Sequence, residues 1–247
     1  MFTQIEITTV CNAKCFYCPN DTLEHKHMAW ECFERIIQSE KSPTMLLIQG
    51  TGEPLLHPFF WEMVAHAKSK GHRISIITNG SMALSSTHMV LLDQIGFSLD
   101  TLDEALAKRS GRTSPAQTLK HLLACHILTP KKIKLYAVNY GQDLEPLKAF
   151  AKEQNIPLAV QRIQPKKSYQ AHYSTEPLPY TTYQCPYLEN EKMRYYFVDG
   201  TKAPCCFMID STKVLHPKVI LHNLSQKSVP SCCTQCGELT GVKRLYM

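Results

Sequence analysis

No stretch of this sequence approaches the roughly 18 uncharged apolar residues that would span a bilayer, and its N-terminus lacks the basic-then-apolar layout of a secretory leader. It also has no repeat at a fixed period and no low-complexity tract. Membrane-spanning, secreted, solenoid and disordered classes are thereby set aside, and the expectation is a cytoplasmic protein with no membrane partner. Blocks of like charge are scarce too. The net charge is +6, but its clusters are short (Lys131, Lys132 and Lys134; Lys166 and Lys167) and no basic stripe runs at helical spacing. Such scattered charge reads as a solvated face, so a nucleic-acid partner stays possible but is not favoured.

What is plentiful is cysteine. In a secreted chain eleven cysteines would read as disulfides, whereas without a leader they point to metal or redox chemistry. Three fall at positions 11 to 18, six at positions 185 to 236, and Cys32 and Cys125 stand alone in helical contexts, where they read as core.

At 247 residues the chain is long enough for one large α/β domain with a small appendage. Over the first 165 residues short apolar runs alternate with amphipathic segments. Strands are expected over 3–9, 44–49, 73–78, 96–100, 133–139 and 158–163, and helices over 29–39, 58–70, 85–94, 115–128 and 144–154. Pro58 and Pro115 suit first-turn positions and Gly71 suits a helix stop. Right-handed crossovers would roll six such units into a partial (β/α)6 barrel, three quarters of a TIM-like one, with its active site at the C-terminal strand ends. The expected domains are the barrel over 1–165, a linker over 166–184 and a small cysteine-rich domain with a β-hairpin over 185–247.

Cys11, Cys15 and Cys18 follow the first strand at spacing CxxxCxxC, tight enough for one loop to wrap a cluster. Three thiolates on a four-iron cluster leave one iron open to a small molecule, and an open site implies chemistry. A zinc knot completed by His25 or His27 is the bland alternative.

Together with the motifs at later strand ends, this segment resembles the radical S-adenosylmethionine (SAM) superfamily across the whole barrel portion. The resemblance implies that aromatic Tyr17 sits beside the adenine. In Gly50-Thr51-Gly52-Glu53-Pro54 it implies that Glu53 meets the methionine ammonium, while Gly52 permits close backbone approach. This motif departs from the family's Gly-Gly-Glu form at one position. Thr78-Asn79-Gly80 and Ser98-Leu99-Asp100 also look like family signatures, with Ser98 and Asp100 offered to the ribose. Asn139 and Arg162 end strands five and six, where they would help hold the cofactor, Arg162 by pairing its carboxylate; a structural salt bridge is the alternative reading of Arg162. The implied chemistry is reductive cleavage of SAM to a 5′-deoxyadenosyl radical that takes a substrate hydrogen, with electrons from a donor such as flavodoxin or ferredoxin.

In the C-terminal region Cys185 precedes Gly200 and Cys205, and Cys233-Thr-Gln-Cys236 follows. Asp199-Gly200 signals a hairpin turn between 194–198 and the strand leading to Cys205. The arrangement resembles the twitch form of the SPASM auxiliary-cluster domain and implies a second 4Fe-4S cluster on Cys185, Cys205, Cys233 and Cys236. Cys206 and Cys232 duplicate their neighbours, so either member of each pair could ligate, and Cys205 and Cys233 are chosen on spacing. Zinc on the same four thiols is the alternative. Asn223-Leu224-Ser225 looks like that domain's short Gly-Asn-Ile-like element with His222 in the glycine's place, and the helix usual after it should be trimmed.

The leading expectation is oxidation or rearrangement of a small molecule, with the auxiliary cluster as electron acceptor. The layout resembles a compact one-auxiliary-cluster dehydrogenase acting on an aminocyclitol, but that substrate is not carried over. Modification of a peptide side chain ranks second, because only ten residues precede Cys11, leaving no room for a leader-binding domain. RNA base modification and a non-enzymatic iron-sulfur protein are the remaining alternatives. No proton donor or acceptor is assigned. His57, Tyr140, Tyr169 and Asp199 are candidates that are also ordinary loop or turn residues.

Overall fold

The computed structural model describes residues 2–164, 183–189 and 193–241. Tyr169 and most of the expected linker, including Lys166 and Lys167, lie outside them. Six parallel strands stand side by side in chain order: β1 (Phe2–Ile5), β2 (Met45–Ile48), β3 (Arg73–Thr78), β4 (Gln94–Ser98), β5 (Ile133–Asn139) and β6 (Leu158–Arg162). The sheet does not close on itself, so the expected partial barrel is the fold observed.

The connecting helices are α1 (Trp30–Ser39), α2 (Phe60–Ser69), α3 (Ser86–Met89), α4 (Glu104–Arg109), α5 (Pro115–Leu128) and α6 (Glu145–Glu153). Side chains three and four apart face the sheet: Phe33, Ile36 and Ile37 on α1, and Met63, Val64 and Ala67 on α2. They pack on strand residues such as Ile48, Ile76, Phe97 and Leu135, which are buried too, each large side chain contributing about 1.5–3 kcal/mol. Cys32 and Cys125 belong to this core, as expected.

Two helices depart from expectation. The helix expected over 85–94 shrinks to α3, because Asp93 must turn the chain into β4; its carboxylate accepts from Ile74 N at 2.7 Å and from Lys68 Nζ at 2.9 Å. α4 was not anticipated, and Asp103 caps it by accepting from Leu106 N at 2.8 Å.

The sheet continues beyond β1. After β7 (Tyr183–Gln184) and α7 (Pro186–Glu189), β8 (Met193–Tyr196) pairs parallel with β1, from Phe2↔Met193 to Ile5↔Tyr196. β9 (Lys202–Ala203) closes the expected hairpin antiparallel to β8 through the turn at Asp199 and Gly200. The cysteine-rich hairpin thus extends the barrel's own sheet in the order β6-β5-β4-β3-β2-β1-β8-β9. Strand alternation divides β8 and the residues after it between two cores. Tyr196 and Val198 join the barrel core, whereas Met193, Tyr195 and Phe197 join a second core with Ile220 and Leu224 of α8 (Pro217–Ser225). A short pair, β7 with β10 (Thr240–Gly241), completes the fold. Glu40, whose side chain is fully buried, rivets the joint by accepting from Thr3 Oγ1 at 2.8 Å, Arg194 Nη1 at 2.7 Å and Tyr196 Oη at 3.0 Å.

Candidate active site

Beyond β1 the chain enters the cysteine loop, and each thiol meets a different strand end. Cys11 Sγ lies 3.9 Å from Asn79 Nδ2 after β3, and Cys18 Sγ lies 3.9 Å from Thr51 O after β2. Cys15 Sγ accepts from Arg112 Nη1 at 3.5 Å, in the segment after α4. Two backbone bonds dock that segment on the loop, Lys14 N to Gly111 O at 2.9 Å and Phe16 N to Ser110 O at 3.2 Å. Burial pushes the thiol of Cys18 up to about 12 and raises that of Cys11.

Glu53 is buried just after β2. Its Oε2 accepts from Asn79 N at 2.6 Å, and its Oε1 from Thr78 Oγ1 at 2.8 Å and Leu55 N at 3.2 Å. Desolvation raises its pKa although these donors favour the charged form. At Gly52 a Cβ would sit 2.4 Å from Thr8 O and 2.7 Å from Val10 O, so only glycine lets this segment lie against the cysteine loop. Thr51, the departure from the family motif, donates from both N and Oγ1 to buried Glu6 at 2.7 and 2.9 Å.

Asp100 is buried and fully engaged. Its Oδ1 accepts from Val138 N at 2.8 Å, and its Oδ2 accepts from Tyr17 Oη and pairs with Arg112 Nε at 3.1 Å. Tyr17 stacks on Tyr140 at 5.8 Å between centroids.

Cys11, Cys15, Cys18, Tyr17, Gly52, Glu53, Asn79, Ser98 and Asp100 all line one cavity of about 170 Å³ at the C-terminal strand ends. Asn139 and Arg162 are exposed and do not line it. From β6 the lining residue is Gln161, the neighbour of Arg162 that alternation turns to the opposite face. Arg112 and Gln161 were both missed from sequence. Arg112 lies in a helix-to-helix loop with no periodicity, and the glycine before it was the one available signal.

The second cysteine set gathers in the smaller core. Cys185, Cys205, Cys232, Cys233 and Cys236 line one small apolar cavity together with Tyr187 and Glu238, and Cys206 does not line it. Cys232 Sγ and Cys233 Sγ are 3.8 Å apart, and Cys233 is the more buried. The Asn223-Leu224-Ser225 element forms the end of α8.

Two of the proton donor or acceptor candidates, His57 and Asp199, have structural bonds. His57 Nε2 donates to Met28 O at 3.0 Å while Nδ1 accepts from Phe59 N at 3.1 Å, and burial lowers its pKa. Asp199 accepts from Thr201 N and Ser211 Oγ in the hairpin turn.

An open parallel α/β barrel with three thiols and a buried carboxylate at its C-terminal mouth defines an enzyme class in which the strand ends gather a cofactor. Residues 5–153 match the family model for the Radical SAM superfamily, and the chain belongs to that superfamily, whose members bind a 4Fe-4S cluster and SAM. A tungsten-containing aldehyde ferredoxin oxidoreductase cofactor-modifying protein from Pyrococcus furiosus is 32% identical over 142 residues, covering 54% of this chain and 37% of that protein. The crystal structure of Streptococcus suis SuiB bound to SAM superposes with a TM-score of 0.65 at 16% identity, covering 84% of this chain and 60% of that one. BtrN in complex with AdoMet and 2-DOIA gives 0.52 at 15% identity, covering 96% of this chain and 93% of that one. The chain therefore spans well under two thirds of the Pyrococcus protein, and at such identities the two solved structures establish the fold alone.

Proposed function

We propose that this chain binds SAM on a 4Fe-4S cluster held by Cys11, Cys15 and Cys18 and oxidises a small molecule, with an auxiliary 4Fe-4S cluster held by Cys185, Cys205, Cys233 and Cys236 in the domain over 185–247. The observation that carries this reading is the pair of cysteine-lined cavities, one at the barrel strand ends and one in the smaller core. Thiols spread around a cavity suit a multi-iron cluster, and both cysteine sets are placed so.

Together the first cluster and SAM supply hydrogen-abstracting radical chemistry. The chain's own residues bind and orient. Glu53 offers a carboxylate, already desolvated and aimed by Thr78 and Asn79, to the methionine ammonium. Tyr17, held by Asp100 and stacked on Tyr140, offers an aromatic edge to the adenine, and Ser98 a hydroxyl to the ribose. Cys205 is preferred over Cys206 because it lines the second cavity, and Cys233 over Cys232 because it is more buried. Four thiolates leave no open iron there, which favours electron acceptance and hence an oxidative outcome.

Anaerobic reconstitution tests the reading. The expected protein carries about eight iron atoms, forms 5′-deoxyadenosine when reduced with SAM, and takes deuterium from a labelled substrate into it. Absence of 5′-deoxyadenosine would sink the enzymatic reading, and four irons with one zinc would sink the auxiliary cluster. The peptide reading wins if deuterium is transferred from a peptide and not from small alcohols.

A further inference from the structure

We propose that Arg112 is a positioning residue that sets the reduction potential of the cluster on Cys11, Cys15 and Cys18 by holding a fixed positive charge against the Cys15 sulfur. This rests on the cluster reading above. Arginine stays protonated in proteins, and a buried cation needs compensation. The Arg112 side chain is 11% exposed and finds one anion in Asp100, through Nε at 3.1 Å. Because Asp100 is also held by Val138 N and Tyr17 Oη, it cannot swing, and the guanidinium plane is fixed with it. That plane points Nη1 at Cys15 Sγ, 3.5 Å away. Nη2 is buried without a hydrogen-bond partner among the described residues, in a side chain that lines the cavity. Both N–H donors of Nη2 thus stay unengaged in a side chain that lines the cluster site.

Bracing of the loop alone does not require this side chain, since Lys14 N to Gly111 O and Phe16 N to Ser110 O already dock the segment through backbone. What the side chain adds is charge. Reduction puts one more electron on the cluster, and a neighbouring cation in a poorly solvated site favours the reduced form.

Redox titration of the anaerobically reconstituted full chain tests this, with dithionite and mediators supplying the electron and EPR following the signal that changes when SAM is added. Arg112→Gln is expected to shift the midpoint downward, lowering the reduced-to-oxidised ratio at fixed potential at least tenfold, or 59 mV for a one-electron couple. Arg112→Lys should recover part of the shift, and Asp100→Asn, which removes the opposing anion, should move the midpoint upward. A change in that ratio of less than tenfold in Arg112→Gln, at unchanged iron content, overturns the proposal. Should Arg112→Gln fail to load iron, unchanged midpoints in both Arg112→Lys and Asp100→Asn overturn it. If wild type itself shows no SAM-responsive signal, it is the cluster reading that has failed.

Discussion

Replacing Gly111 with alanine tests how the cysteine loop is held. A Cβ there would stand 1.9 Å from Lys14 O and 2.5 Å from Lys14 C, whereas real Cβ contacts do not fall below 3.0 Å. The obstacle is backbone, so the loop must retreat by more than about 1 Å, since side-chain repacking cannot relieve a backbone overlap. The φ of Gly111 is +74°, a left-handed conformation that costs a residue with a Cβ about 1–2 kcal/mol. A retreat of that size breaks the bonds from Lys14 N and Phe16 N, each worth about 1 kcal/mol net. The sum is about 3–4 kcal/mol, and at about 2–4 °C per kcal/mol the melting temperature of the reduced apoprotein should fall by about 6–16 °C. Because Cys15 moves with Lys14, iron bound after reconstitution should fall as well. An alanine variant that melts and loads iron as wild type does would refute this account of the loop.

Three further outcomes are expected. Glu53→Gln sets an amide N–H₂ against either Asn79 N–H or Leu55 N–H, at about 1–3 kcal/mol, and should weaken SAM binding in equilibrium dialysis at least about tenfold; unchanged affinity would remove Glu53 from the site. Glu40→Ala removes the acceptor shared by Thr3, Arg194 and Tyr196 and should cost about 2–4 kcal/mol in urea unfolding, less than a fully buried pair because the Arg194 side chain remains 28% exposed. Burial pushes the Cys125 thiol up to about 11, so the folded state holds its proton while the unfolded chain releases it near the ordinary value of 9.0. The resulting stabilisation is complete below that value and is lost as pH rises toward about 11, so wild type should lose more stability than Cys125→Ala across that window. Parallel pH profiles for the two proteins would count against it.

The barrel was legible because each unit carries its own local signal: β-branched residues such as Ile74, Ile76 and Ile77, proline at the first turn of α5, and thiols packed into one loop. Glu53 and Cys18 could be found because they sit inside short motifs at strand ends. What escaped detection depends on distance along the chain. β8 looks from sequence like half of a separate hairpin, and nothing local reveals that its free edge pairs with β1. Arg112 meets Cys15 only through a tertiary contact, beside the bonds from Lys14 and Phe16 to its loop. Arg162 and Gln161 are adjacent polar residues, and which one faces the cavity depends on a register that a polar, partly exposed strand end does not advertise.

The pairing of β1 with β8 also has a consequence in time. Phe2 and Met193 lie opposite one another across the sheet. At roughly 5–20 residues per second on the ribosome, the first strand waits on the order of 10–40 s for its second neighbour to be synthesised. During that interval the edge of β1 is bare, the Glu40 carboxylate lacks Arg194 and Tyr196, and the strand feeding the cysteine loop is held from one side only. Until β8 is synthesised, Cys11, Cys15 and Cys18 therefore lie on a loop whose feeding strand has only one of its two sheet neighbours. Iron delivery after release from the ribosome meets a better-framed loop than delivery during synthesis.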